Sequence, residues 1–173
     1  MTTWKPKPIL ALIAALVIPC YAAPQTPVEL AFGKVQALAG EWAGKDEHGG
    51  TVTSRFEPVA GNTAVMETLK MADMGEDMLT LYSVDQNSIV LMHYCPTNNQ
   101  PKMRATPGAG ALKELNFSFE GAGNLPDASA GHEQKLVLEF EDKDHITERW
   151  TWRRAGKDTE MVFRLARTNV EHK

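Results

Sequence analysis

The residues best able to do chemistry are a histidine, a cysteine and two glutamates that break the polarity of their surroundings. His93 and Cys95 stand two apart in the β-type run Leu91-Met92-His93-Tyr94-Cys95, so both side chains fall on one face. Two metal ligands or a histidine-activated thiolate need that geometry. A closed tetrahedral site takes four ligands, however, and His48, His132 and His145 fall in expected loops or on polar faces, so no metal site is predicted. A buried, hydrogen-bonded His93 beside a small apolar Cys95 accounts for the same spacing. No Asn or Asp is evident to orient a papain-like Cys/His pair.

Glu67 shares a face with Val65, Leu69 and Met71, and Glu148 shares one with Ile146, Trp150 and Trp152. A carboxylate among such neighbours is costly unless a partner neutralises it or its pKa rises. One use is to fix the polar end of a mostly apolar ligand, with Tyr82, His93, Cys95, Met103 and Trp150 lining the same interior. Another is a structural ion pair between Glu67 or Glu148 and Arg104 or Arg167. Proton transfer is a third, for which Glu67, His93 and Glu148 are the candidate catalytic groups. The turn Pro96-Thr97-Asn98-Asn99-Gln100-Pro101 either lines a barrel mouth with amides or is a rigid hairpin whose Asn side chains bond their own backbone.

The elements that must position these residues are almost all strands. Short β-type runs are expected at 41–46, 51–59, 63–71, 78–84, 88–95, 102–106, 112–120, 135–141, 145–153 and 159–167, separated by Gly, Pro, Asn and Asp. Connections as short as Gly49-Gly50, Gly61-Asn62 and Asp85-Gln86-Asn87 join antiparallel neighbours. A meander of this many strands avoids open edges by closing on itself. Alternation turns Leu115, Phe117 and Phe119 inward, and likewise Leu136, Leu138 and Phe140, and Met161, Phe163 and Leu165. The stretch Gly121 to Gly131 reads as a mobile loop. One helix is expected ahead of the strands, with Thr26 as N-cap, Pro27 first, Glu29 in its first turn and Gly40 beyond its end.

Lys5 and Lys7, the apolar run Ile9 to Pro19 and the small residues Cys20 and Ala22 form the pattern of a secretory signal peptide over residues 1–22. The apolar run is far shorter than the roughly 20 residues that span a bilayer. Residues 23–173 then form one domain, periplasmic or secreted, with no stable membrane insertion. Pro19 before Cys20 argues against lipidation at that cysteine. Of the two cysteines only Cys95 remains after cleavage, so no internal disulfide supports the fold. The formal net charge is −4 before loss of the two leader lysines. An acidic surface without a basic stripe excludes nucleic acid as a partner.

Leu38-Ala39-Gly40-Glu41-Trp42-Ala43-Gly44, after a short helix and opening the first strand, resembles the Gly-x-Trp entrance of the calycin superfamily, which includes lipocalins, fatty-acid-binding proteins and nitrobindins. The resemblance implies an up-and-down β-barrel of about 8–10 strands. It implies structural roles for Gly40 and Trp42, with Arg167 or Arg164 packed on the tryptophan. The segments Met78 to Asp85 and Leu91 to Met103 also resemble a family of uncharacterised bacterial secreted proteins placed near the calycins. Nitrobindins hold haem through an axial histidine, which by analogy lies on an inward face near the last strands. His145 falls on the polar face there and His172 in the tail, so no haem is predicted. Met66, Met71, Met74, Met78, Met92 and Met103 raise a soft-metal alternative, over which core filling is the preferred explanation.

The expected function is binding of a small, largely apolar molecule in the barrel lumen, without a cofactor. The alternatives are an enzyme of the same fold using a Glu/His acid-base pair, and an interaction module whose core is filled.

Overall fold

The computed structural model describes residues 1–2, 24–72 and 74–168. The signal-peptide reading, Cys20 and His172 lie outside the described residues.

Helix α1 (Pro27–Gln36) starts as its sequence dictates. The Thr26 hydroxyl accepts from Glu29 N at 3.3 Å, and Thr26 N donates to Glu29 Oε2 at 2.7 Å, which satisfies two otherwise orphan groups reciprocally. Val28, Ala31, Phe32 and Val35, at helical spacing, form its buried face.

Ten strands follow: β1 (Gly40–Lys45), β2 (Thr51–Val59), β3 (Ala64–Met71), β4 (Asp77–Asp85), β5 (Ser88–Tyr94), β6 (Gln100–Ala105), β7 (Glu114–Gly123), β8 (His132–Phe140), β9 (His145–Arg154) and β10 (Lys157–Arg167). Each pairs antiparallel with the next, and β1 pairs with β10, giving a closed up-and-down barrel with no free edge. Closure depends on a glycine: a Cβ on Gly44 would stand 1.8 Å from the Arg164 carbonyl oxygen of β10.

The barrel has a filled end and a mouth. At the filled end α1 packs against β2, β4 and β5, with Gln36 Nε2 donating to the Asn62 carbonyl in the β2–β3 turn. Trp42 is buried there, edge-on to Phe56, and its indole donates to the Leu38 carbonyl at 2.8 Å. The Arg167 guanidinium lies 4.3 Å from the Trp42 ring centre and donates to the Ala39 and Ala37 carbonyls. Because alternate connections of a meander share an end, the β1–β2, β3–β4, β5–β6, β7–β8 and β9–β10 connections ring the mouth.

Two register shifts change the expected strand limits. One lies between Lys102 and Met103 on β6, where Lys102 faces Gly121 and Met103 faces Phe119 of β7. This keeps Gly121-Ala122-Gly123 paired with β6, so the stretch expected as loop from Gly121 becomes loop only after Gly123. The other, between Glu133 and Lys135, lets β8 begin at His132 instead of Lys135.

Candidate functional site

Sheet register stacks the interior in layers. Phe56, Glu67, Thr80 and His93 are successive cross-strand neighbours on β2, β3, β4 and β5. On the opposite wall Leu138, Glu148 and Phe163 form one row, Leu136, Trp150 and Met161 the next, and Glu133, Trp152 and Thr159 the row nearest the mouth.

Glu67 and Glu148 are both fully buried, and they meet each other. Glu67 accepts hydrogen bonds from Ser54 Oγ at 2.7 Å and from the Tyr82 hydroxyl at 2.9 Å. Glu148 Oε2 accepts from the Trp150 indole at 3.0 Å, while its Oε1 finds no N–H or O–H donor, the arrangement expected of a protonated oxygen. Burial raises the pKa of Glu67 against the lowering effect of the Glu148, Ser54 and Tyr82 hydrogen bonds. Burial, then the charge of Glu67, holds Glu148 well above the usual carboxyl range. The pair therefore shares a proton that resides on Glu148, because Glu67 has the better set of donors.

The expected ion pair with an arginine is not formed. Arg104 bonds Asp85 and Glu120 on the outer face, and Arg167 serves Trp42 and the chain carbonyls at the filled end. Arg104 sits at an outward position of β6, and Arg167, at the last inward position of β10, is held over Trp42 at the filled end, so protonation and hydrogen bonding take the place of a buried cation.

Above this layer, toward the mouth, a cavity of about 290 Å³ opens. Its wall is largely apolar, made by Leu69, Met71, Met74, Met78, Trp150, Trp152, Met161 and Phe163, with polar atoms from His93, Cys95, Thr97, Glu133 and Thr159. Trp150 is the partition: one edge donates to Glu148 below, and its ring lies 4.8 Å from the His93 ring at the cavity.

Two side chains in this wall carry buried polar atoms without partners, His93 Nε2 and Glu133 Oε2. His93 Nδ1 is 2.9 Å from Thr80 Oγ1, which fixes the ring. Burial lowers its pKa to about 4, so His93 is neutral at pH 7. Burial raises Glu133 to about 8, so this carboxyl is mostly protonated at pH 7. Among the described residues neither group has a charged partner. An apolar cavity edged by a neutral imidazole and a protonated carboxyl can grip a hydrogen-bonding group while enclosing its hydrocarbon.

Of the expected lining residues, His93, Cys95 and Trp150 meet at this cavity, with Cys95 a half-buried free thiol. Glu67, Tyr82 and Glu148 form the polar layer beneath it, and Met103 is fully buried in the core. Among the methionines singled out in sequence, Met71, Met74 and Met78 reach the cavity, joined by Met161; their flexible thioethers make an adaptable wall. His145 is exposed and bonds Asp142, whereas His132, expected on a polar face or loop, is buried against Phe119.

Glu133 escapes sequence reading. Counting back by twos from Leu136 points Gln134 inward, but the bulge puts Glu133 opposite Trp152 instead. No pattern in His132-Glu133-Gln134-Lys135 announces it.

The turn Pro96–Pro101 takes neither expected form outright: its cavity contact is not an amide, and its Asn99 side chain bonds another connection in place of its own backbone. Thr97 lines the cavity, while Asn99 Nδ2 donates to the Gly131 carbonyl at 2.7 Å and ties the β5–β6 and β7–β8 connections together. Gly131 also abuts the cavity wall, since a Cβ there would stand 2.2 Å from Trp152 Cζ2. Gly131→Ala is expected to push the Trp152 ring toward the lumen. The expected costs are about 1–3 kcal/mol of stability, measured by urea unfolding, and at least tenfold in the affinity of any cavity ligand.

No protein-family model matches the chain, and no curated protein matches it.

Proposed function

We propose that this protein is a calycin-type carrier that binds one small, largely apolar molecule with a polar end in the mouth cavity. The observation that carries the reading is the pair of buried, unpartnered polar atoms, His93 Nε2 and Glu133 Oε2, in a largely apolar wall. Buried polar groups in folded proteins have partners, and an exception at a cavity marks where a ligand supplies one.

Volume bounds the ligand. An apolar cavity of about 150 Å³ takes benzene. The space here, about 290 Å³, accommodates a ring with a short chain or a branched hydrocarbon of similar bulk. The filled end, packed by Trp42, Phe56, Phe117 and Leu138, restricts binding to the mouth half. The basic, apolar and small-residue segments of residues 1–22 support placing the carrier in the periplasm or outside the cell.

The test is calorimetric titration with 2-phenylethanol, which matches the cavity in bulk and carries one hydroxyl. One molecule is expected to bind per chain, with a Kd below about 1 mM, given the affinity attainable per atom in small ligands. Met161→Trp, which fills the cavity, is expected to abolish the binding. Absence of saturable binding, or binding that survives Met161→Trp in a folded variant, would contradict the proposal.

A further inference from the structure

We propose that the ligand carries a basic amine, its ammonium held by Glu133 and His93 beside the Trp150 and Trp152 rings. This rests on the carrier reading above and names the class of its ligand.

The first argument is charge. Among the described residues the cavity wall contains Glu133 and no Lys or Arg. Arg153, one strand away, is occupied by both oxygens of Asp158, at 2.6 and 2.7 Å. A ligand carboxylate or phosphate would enter an apolar space with no countercharge and a carboxyl for a neighbour. That is the costly case of an unpaired buried anion.

The second argument is donor count. In the tautomer whose Nδ1–H donates to Thr80 Oγ1, His93 presents Nε2 as an acceptor, and Glu133 once ionised is acceptor only. An ammonium brings up to three donors and satisfies both. A hydroxyl, with one donor, satisfies both only while Glu133 keeps its proton.

The third argument is the aromatic wall. Trp150, Trp152 and Phe163 line the same space, and indole faces attract cations most strongly among the aromatic side chains. The other titratable group in the wall is Cys95, and His132 adjoins Glu133 along β8.

Proton balance gives the inference a signature. At pH 7 an aliphatic amine is protonated and the free protein holds Glu133 as the acid. Binding forms an ammonium–carboxylate contact and sends the Glu133 proton to solvent, so the amine binds with release of close to one proton. A neutral alcohol releases none.

The experiment is calorimetry at pH 7 with 2-phenylethylamine, 2-phenylethanol and phenylacetate, each in two buffers of different ionisation enthalpy. The amine is expected to bind at least tenfold tighter than the alcohol, with about one proton released, and phenylacetate weakest of the three. Glu133→Gln, its fold checked by urea unfolding, is expected to remove the proton release and lower amine affinity at least tenfold. An amine no tighter than the alcohol, a tighter amine without proton release, or an amine preference that survives Glu133→Gln would overturn the inference and leave the carrier reading standing. Failure of all three probes to bind would overturn both.

Discussion

At pH 8.5, Glu133→Gln is expected to stabilise the protein by about 2–4 kcal/mol, an unusual outcome for the loss of a buried charged residue. In the unfolded chain Glu133 ionises near its ordinary value of 4.5, whereas the folded chain holds the proton to about 8. Between these values the folded state binds more protons, so stability falls as pH rises through the window. At about 1.4 kcal/mol per tenfold change in proton activity, the full effect is roughly 5 kcal/mol. The glutamine amide never ionises but remains buried with unmet hydrogen bonds, which retains about 1–3 kcal/mol of the cost. His93 acts in the opposite direction: its pKa falls from 6.5 to about 4, so stability is lost as pH drops through that interval. Urea unfolding at pH 5, 7 and 8.5 checks both signs. The variant should equal the parent within about 1 kcal/mol at pH 5 and exceed it at pH 8.5. A variant no better at pH 8.5 than at pH 5 would show that Glu133 is not held as an acid.

The second large effect is an asymmetry between the paired carboxyls. Glu67→Gln is expected to cost about 2–4 kcal/mol, because its new NH₂ group must face a hydroxyl, Ser54 or Tyr82, that now donates to Glu67. Glu148→Gln is expected to cost less than about 1 kcal/mol. Its amide can donate to Glu67 where the acid proton did, while its oxygen still accepts from Trp150. Equal costs, measured by denaturant unfolding at pH 7, would mean that the shared proton does not reside on Glu148. Tolerance of Glu148→Gln with ligand affinity retained also separates a carrier from an enzyme that uses this group as its acid.

Much of this was readable in the sequence because period-two alternation and turn chemistry are local. Thr26, Pro27 and Glu29 announced the helix, and ten runs between turn residues announced the strands of a closed barrel. Glu67 and Glu148 stood out because each broke an apolar face. Their meeting is a different matter: β3 and β9 lie on facing walls, and chain order does not say which inward residues touch across a lumen. An arginine partner was a reasonable expectation from charge alone, but the strand parity of Arg104 turns its side chain outward. Glu133 was hidden for a related reason. A bulge inserts one residue and inverts the parity of everything on one side of it, and nothing in the residue types near Glu133 marks the insertion. The cavity itself depends on where packing stops, at Trp150, which alternation cannot locate.

The most direct test of the central claim is ¹⁵N NMR of the histidine rings during titration with 2-phenylethanol at pH 7. If the ligand meets His93 Nε2, the His93 ring nitrogens shift in proportion to saturation, while those of the exposed His48 and His145 stay fixed. Saturable binding that leaves the His93 resonances unmoved would place the ligand elsewhere and contradict the account.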